Sequence, residues 1–356
     1  MAHGGEVAVA ASAHQRHEQA TLEEVAALAG VSRATVSRVV NGRSRVSQQT
    51  RVAVERAVAR LGYVPNRAAR SLVTRRADMI GLATPETTDW LFDDPFFPRL
   101  LHGITGALPP DLELVVFMPK PTRDETRLAS YLTAGHVDGV LVVSQHGPGV
   151  LPRQLERRGI PVVLCGRPLG HSALSWVDAD NQRGGALAVG HLVERGRQVI
   201  ATVTGPQDMA VGVDRLAGWR QALEAAGRPP DPDLVEVGDF TYQRGVTATE
   251  ALLRRRPDID GLFAASELTA LGALKALRAA GRRVPDDVAV VGFDDTALAL
   301  SADPPLTVVR QPIELMGQEM IRLLLQTMAT GDRTPRHVVL GTELVVRASS
   351  GAEPGA

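Results

Sequence analysis

Apolar residues near the start of the chain recur with a helical period. In TLEEVAALAGVSRATVSRVVN (21–41), Leu22, Val25, Ala26 and Ala29 share one face of a first segment, and Val36, Val39 and Val40 share one face of a second. Thr21 followed three residues later by Glu24 is a capping box, so a helix is predicted to begin there. Gly30 stands where that helix must stop and the chain must turn, a place suited to positive φ. Ser32 can cap the second helix. Ala26 supplies the small residue that two steeply crossing helices need at their contact. The second helix then turns Arg33, Ala34, Ser37, Arg38 and Asn41 outward. An ordinary amphipathic hairpin would share the periodicity. It would not need an outer face with two arginines, a serine, an asparagine and no acid. The pattern is that of a DNA-binding helix-turn-helix.

A third helix is predicted over about 48–61, capped by Ser47, with Val52, Val54, Ala57, Val58 and Leu61 as its core face and Gly62 as its stop. Pro65 holds Val64 out of the helical region, and Asn66 can cap a short helix from Arg67 to about Val73. A helix that short is marginal by itself in water. From Met79 onward the pattern changes. Apolar runs at 79–84, 112–117, 138–144, 161–166, 198–204, 234–238, 260–266 and 287–295 alternate with amphipathic segments, among them 181–195, 212–226, 244–255, 267–280 and 312–329. Such alternation predicts an α/β core of two doubly wound parallel-sheet lobes behind a small all-α head. Ligands of such sheets bind beyond the carboxyl ends of the strands. Those ends carry Thr84-Pro85-Glu86, Ser144, Gly166-Arg167, Thr204-Gly205, Ser266-Glu267 and Asp294-Asp295.

Charge sharpens this division. Residues 1–76 hold twelve arginines and five glutamates, whereas the remainder holds 27 basic and 35 acidic residues, although the whole chain of 356 residues carries a net charge of only −1. A basic head on an acidic body attracts phosphate at one end and limits non-specific adhesion at the other. The single cysteine, Cys165, excludes a disulfide framework within the chain and fits a reducing cytoplasm. No apolar run approaches membrane-spanning length. The first twenty residues lack the features of a signal peptide and read as a disordered tail.

Read together, TVSRVVNG (35–42), YVPNRAARSLVTRR (63–76), DPFF (94–97), VDGVLVVS (137–144), VGFDD (291–295) and DPPLTVVRQP (303–312) resemble the lactose/galactose repressor (LacI/GalR) family of bacterial transcription regulators. The resemblance covers about residues 21–348. Within the family, GRPLG (166–170), VDADN (177–181), TGPQDM (204–209), GDFTY (238–242) and FAAS (263–266) resemble the cellobiose- and cello-oligosaccharide-responsive repressors. It implies a helix-turn-helix domain (21–64), a hinge helix and linker (65–76), and a two-lobed core like a periplasmic sugar-binding protein (77–348), followed by a short tail (349–356). Lobe one is expected over about 77–176 and 308–328, and lobe two over about 177–307 and 329–348.

By the same resemblance, Arg33, Ala34 and Arg38 are expected at base edges in the major groove. Ser32, Thr35, Ser37 and Asn41 are expected at phosphates, with Leu22 at the edge of the same surface and Asn66 and Arg67 working alike from the hinge. Leu72 matches the hinge leucine that wedges into the minor groove and bends the duplex. Its residue type alone would equally allow it to pack the hinge against the core. The effector residues implied are Arg215, in VDRLAGW (213–219), with Asp294, Ser266 and Phe240 from the second lobe, and Trp90, Phe92, Asp93 and Arg167 from the first. Two departures from the common pattern fall at the cleft: a longer loop from Pro85 to Asp94, and Gly166 where many relatives carry an acid. Together they imply a sugar different from those of known relatives, and the longer loop with Trp90 and Phe92 suits a disaccharide or larger ligand.

The reading that follows is a cytoplasmic, homodimeric repressor released from a palindromic operator by a small sugar such as a β-glucoside. A corepressor-dependent repressor or an activator would share the fold. A sugar-transport protein fits the core but not the basic head. An enzyme finds no support: phosphate-binding, nucleophile-elbow and dinucleotide motifs are missing, the histidines are scattered, and no cofactor or metal is expected.

Overall fold

The computed structural model describes residues 20–40, 46–64, 76–84, 86, 88–118, 125–147, 149–170 and 173–351. The expectations for Asn41, Asn66, Arg67, Leu72 and the hinge helix lie outside them. The chain divides into two compact units, Met1–Arg75 and Arg76–Ala356.

In the first unit, α1 (Leu22–Ala29), α2 (Arg33–Val40) and α3 (Gln48–Leu61) surround a small core of Val25, Ala26, Val36, Val54, Ala57 and Tyr63. Local chemistry sets each boundary. The Thr21 side chain accepts from the Glu24 amide while the Glu24 carboxylate takes the Thr21 N–H, closing the capping box. Gly30 and Gly62 end α1 and α3 at φ values of 64° and 60°, where a Cβ would be strained. Tyr63 fills a core position that the periodicity did not mark. Leu61, expected inside, is 37% exposed at the end of α3, while Val58 one turn earlier packs on the core.

The second unit holds two six-stranded sheets. The first is built from β1 (Met79–Ala83), β2 (Glu113–Phe117), β3 (Gly139–Val142), β4 (Val162–Cys165), β5 (Ser175–Ala179) and β11 (His337–Leu340), in the order β11-β5-β4-β3-β1-β2, all parallel. The second is built from β6 (Ile200–Thr204), β7 (Val235–Val237), β8 (Gly261–Ala264), β9 (Ala289–Asp294), β10 (Thr307–Arg310) and β12 (Glu343–Val345), in the order β12-β10-β9-β8-β6-β7. Only β12 runs antiparallel to its neighbour. Parallel strands covered on both faces explain the nearly continuous Val, Leu, Ile and Ala runs.

The chain crosses between lobes three times: from β5 into α8 (Asn181–Glu194), from β10 into α13 (Ile313–Thr330), and from β11 to β12. This corrects the expected lobe boundaries. Residues 337–340 were assigned to lobe two, but they pair with β5 and belong to lobe one. Residues 308–310 were assigned to lobe one, but β10 pairs with β9 in lobe two. The strands missed by pattern are β5, β10, β11 and β12. They are three to five residues long, and polar residues such as Asp178, Arg310, His337 and Glu343 interrupt their apolar character.

Packing of α8 on α9 (Ala210–Ala225) bears directly on the cleft. A Cβ on Gly218 would lie 2.2 Å from the Gln182 carbonyl oxygen, and one on Gly185 would lie 2.5 Å from that of Arg215. Backbone therefore touches backbone, and the start of α8 is held beside Arg215.

Candidate functional site

The head presents one polar face on α2. Arg33, Ala34 and Arg38 are exposed, and Thr35 and Ser37 are half-buried. The Ser32 hydroxyl accepts from the Thr35 amide at 3.2 Å and bonds the Thr35 hydroxyl at 2.9 Å, so it caps α2. Arg33 pairs with Glu23 at 3.0 Å, but with side chains 71% and 61% exposed. Such a pair is worth less than about 1 kcal/mol, so Arg33 is easily redirected to another acceptor. Leu22 is half-buried and packs on the head's core.

Between the two sheets lies a cavity of about 600 Å³ counting its open mouth. Phe96, Val143, Met209, Phe240 and Met316 give it apolar walls. Asp94, Ser144, Asp178, Asn181, Arg215, Ser266, Asp294 and Gln311 place polar atoms in it.

A buried line of hydrogen bonds joins the lobes across its floor. Asp178, at the end of β5, accepts from the amides of Arg167 and Ala179 and from Asn181 Nδ2, each at 2.8 Å. Asn181 Oδ1 accepts from Arg215 Nε at 2.9 Å. Arg215 Nη1 donates to the Ala265 carbonyl at 2.5 Å and stands 3.9 Å from Asp294 Oδ1. Its guanidinium lies 3.6 Å from the Phe293 ring centroid, a desolvated cation–π contact. Asp294 accepts from Gln311 Nε2 at 2.5 Å and from the Glu267 amide at 3.3 Å. Glu267, buried at the start of α11 (Glu267–Ala279), accepts from the Thr296 amide at 2.8 Å and hydroxyl at 3.0 Å, fixing the turn after β9.

Burial sets the protonation of this cluster. It pushes the Asp94 carboxyl up to about 7, with the Asp294 charge adding to the effect. It pushes Asp178 up to about 6 against the opposing hydrogen bond from the Arg167 amide, and Glu267 up to about 7. Burial also raises the Cys165 thiol, and it lowers Arg215 against the attraction of Asp294. Backbone strain gathers in the same place: Ser144, Phe240 and Asp294 hold φ values of 55°, 67° and 101°.

Polar bridges between the lobes flank the cavity. Arg167 Nη2 meets Asp214 Oδ1 at 2.6 Å. His146 is bonded by Asp208 Oδ2 at Nδ1 and by Glu86 Oε1 at Nε2, both at 2.9 Å. Those bonds, Glu86 first, raise the imidazole to about 9, so both nitrogens carry protons at neutral pH. Arg99, on α5 (Phe96–Ala107), donates to the Asp295 carbonyl at 2.9 Å while forking onto Glu314.

Of the expected effector residues, Arg215, Phe240, Ser266 and Asp294 line the cavity. The Ser266 hydroxyl is already engaged, as cap of α11 and partner of the Phe240 carbonyl. Arg167 does not line the cavity and bridges the lobes instead. Within the expected long loop, residues 88–93 form a short helix, α4 (Thr88–Asp93), in which Leu91 is fully buried while Phe92 and Asp93 face solvent. Phe92 and Asp93 do not line the cavity, and the Trp90 side chain lies outside the described residues. Asp94, Asp178, Asn181 and Gln311 were missed. Each was within reach: Asp94 opens the DPFF string, Asp178 and Asn181 lie in VDADN, and Gln311 lies in DPPLTVVRQP. Among the described residues, no group of three or more His, Cys, Asp or Glu is placed to hold a metal ion, and no helix is long and apolar enough to cross a membrane.

A helix-turn-helix unit and a two-lobed ligand cleft in one chain define a ligand-responsive DNA-binding regulator. Residues 21–66 match the model of the bacterial regulatory proteins, lacI family, and residues 189–350 match a periplasmic binding protein-like domain. The regulator CelR of Thermobifida fusca is 52% identical over 94% of this chain and 99% of its own length. The structure of a transcriptional regulator CelR–cellobiose complex covers 93% of this chain and 100% of its own, with 49% identity and a TM-score of 0.75. A lac repressor dimer bound to operator and an anti-inducer covers 94% of this chain and 100% of its own, with 30% identity and a TM-score of 0.82. The chain belongs to the lacI family of bacterial regulatory proteins.

Proposed function

We propose that the protein is a homodimeric transcriptional repressor, released from a palindromic operator when a neutral β-glucoside such as cellobiose enters the interlobe cleft. The observation that carries this reading is the cleft floor. Asp178, Asn181, Arg215 and Asp294 form a continuous polar line between apolar walls that include the rings of Phe96 and Phe240. Carboxylates accept sugar hydroxyls, amides and guanidinium N–H groups donate to ring and hydroxyl oxygens, and rings cover the C–H faces. The similarity to a regulator solved with cellobiose supports a disaccharide.

Sugar bonding to residues of both lobes favours one relative lobe arrangement over another. Only such differential affinity can alter operator binding, and a coupling of about 1–3 kcal/mol is typical. At the DNA end, Arg33 and Arg38 read guanine edges, Ala34 contacts a thymine methyl at most, and Ser32, Thr35 and Ser37 meet phosphates. Asn41, Asn66, Arg67 and Leu72 complete that surface in this reading. Operator binding places its work in the cytoplasm, and no catalytic step is assigned to it. Fluorescence anisotropy of a labelled palindromic duplex, with and without cellobiose, tests the sign: release supports induction, and tighter binding replaces it with corepression.

A further inference from the structure

We infer that the cleft selects against anionic sugars, with Asp94, Asp178 and Asp294 as the residues that reject uronates, aldonates and phosphate esters. This rests on the sugar-binding reading above. Three carboxyl groups line the cavity, and a fourth, Glu267, lies directly behind Asp294. Arg215 is the single cation among the described residues lining the cavity. Its charge is already faced by a carboxylate, and two of its N–H groups are engaged. Nε is bonded to Asn181, Nη1 to the Ala265 carbonyl, and the guanidinium plane lies against Phe293 with Asp294 3.9 Å away. A ligand anion would therefore compete with Asp294 for this one cation, among three carboxyl groups that line the same space.

The surrounding cations are committed as well. Arg167 is paired with Asp214, Arg99 with Glu314, and His146 with Glu86 and Asp208. An entering anion would add like charge to a low-dielectric space, where repulsion is far stronger than in water. A neutral polyol instead supplies hydroxyl donors, which these carboxyls can accept. Protonation of the acids relieves part of the repulsion, so the discrimination widens from pH 5 to pH 8 as the raised carboxyls of Asp94, Asp178 and Glu267 ionise.

The test is calorimetric titration of the full-length protein at fixed ionic strength with cellobiose and two size-matched pairs. These are cellobionate against cellobionamide, and the disaccharide oxidised to carboxylate at its terminal C6 against the corresponding carboxamide. In each pair that binds, the amide is expected to bind at least tenfold tighter than the acid. Asp94→Asn should narrow that gap, with thermal melting to verify the fold. Equal binding of acid and amide, or tighter binding of the acid, would overturn the inference. So would rejection of the amides as complete as that of the acids while cellobiose binds, because shape alone would then explain selectivity. Failure of cellobiose and all four derivatives to bind would instead overturn the sugar reading, and this inference with it.

Discussion

The head and the cleft are both polar surfaces built on apolar cores, but they are assembled on different length scales. The groups on α2 lie within eight consecutive residues, and each boundary near them is set by a partner three to five residues away. The cleft gathers Asp94, Asp178, Arg215 and Asp294 from four distant segments and two lobes. The difference concerns freedom as much as distance. Arg33 and Arg38 stand in solvent and can reorient toward a duplex. Arg215 is buried, bonded on two sides and stacked on Phe293. The head is a mobile reader on a locally specified frame. The cleft is a preorganised socket whose geometry depends on the whole fold.

That contrast can be broken most sharply at Arg215. Arg215→Met should weaken cellobiose binding by more than about 100-fold, because it removes the link between Asn181 and Asp294. Stability should fall by about 3–5 kcal/mol, the usual cost of leaving a buried charge unpaired. Operator affinity should persist, and Arg215→Lys, which keeps the charge, should recover part of the stability. Loss of DNA binding in a folded variant would show that the two regions are not separable.

The reciprocal experiment lies in the head. Arg38→Ala should cost about 1–3 kcal/mol of operator discrimination, a factor of roughly 5–150, while leaving sugar affinity unchanged. Leu72→Ala should lose specific binding and retain salt-sensitive non-specific binding, measured by anisotropy over a salt series. Unchanged operator affinity in the Leu72 variant would remove the wedge from the account.

A smaller effect is expected where the lobes are bridged. Asp208→Asn removes a charged partner from protonated His146, and Arg167→Ala removes the bridge to Asp214. Each should speed sugar release several-fold in stopped-flow tryptophan fluorescence. The Asp208 contribution should fade as pH rises through about 9, where His146 loses its second proton. A slower release would mean that the bridges oppose the bound arrangement.

The smallest effect is on stability. Asp94 is held near 7 by burial, above its unfolded value, so the folded state binds more protons than the unfolded state between about pH 4 and pH 7. Its contribution to stability therefore falls as pH rises through that window. Asp94→Asn should melt like the parent at pH 4 and roughly 2–4 °C higher at pH 8, for about 1 kcal/mol of relief in a domain of this size class. A pH-independent difference would place the cause in packing.

The same contrast explains what the sequence made legible. The capping box at Thr21, the stops at Gly30 and Gly62 and the long apolar strands are local, and they emerge from spacing alone. Strand β11 does not: His337 to Leu340 acquires its place only by pairing with β5, some 160 positions earlier. Of the residues that line the cavity, Arg215 and Asp294 stand in conspicuous strings and were expected there. Asp178 and Gln311 lay in strings just as conspicuous, but their roles depend on bonds to Asn181 and Asp294 that no local pattern encodes. Phe92 and Asp93, expected at the cleft, are exposed and do not line the cavity, where a segment read as a loop winds into α4.

The central claim is that the cleft controls the head through Arg215. The direct measurement is anisotropy of a labelled palindromic operator titrated with cellobiose, run in parallel on the parent protein and on folded Arg215→Lys. The account predicts that the parent releases the duplex at saturating sugar, while the variant binds the duplex equally well without sugar and keeps it when sugar is added. Release of both proteins at the same sugar concentration, or of neither while calorimetry shows the parent saturated with sugar, would contradict it.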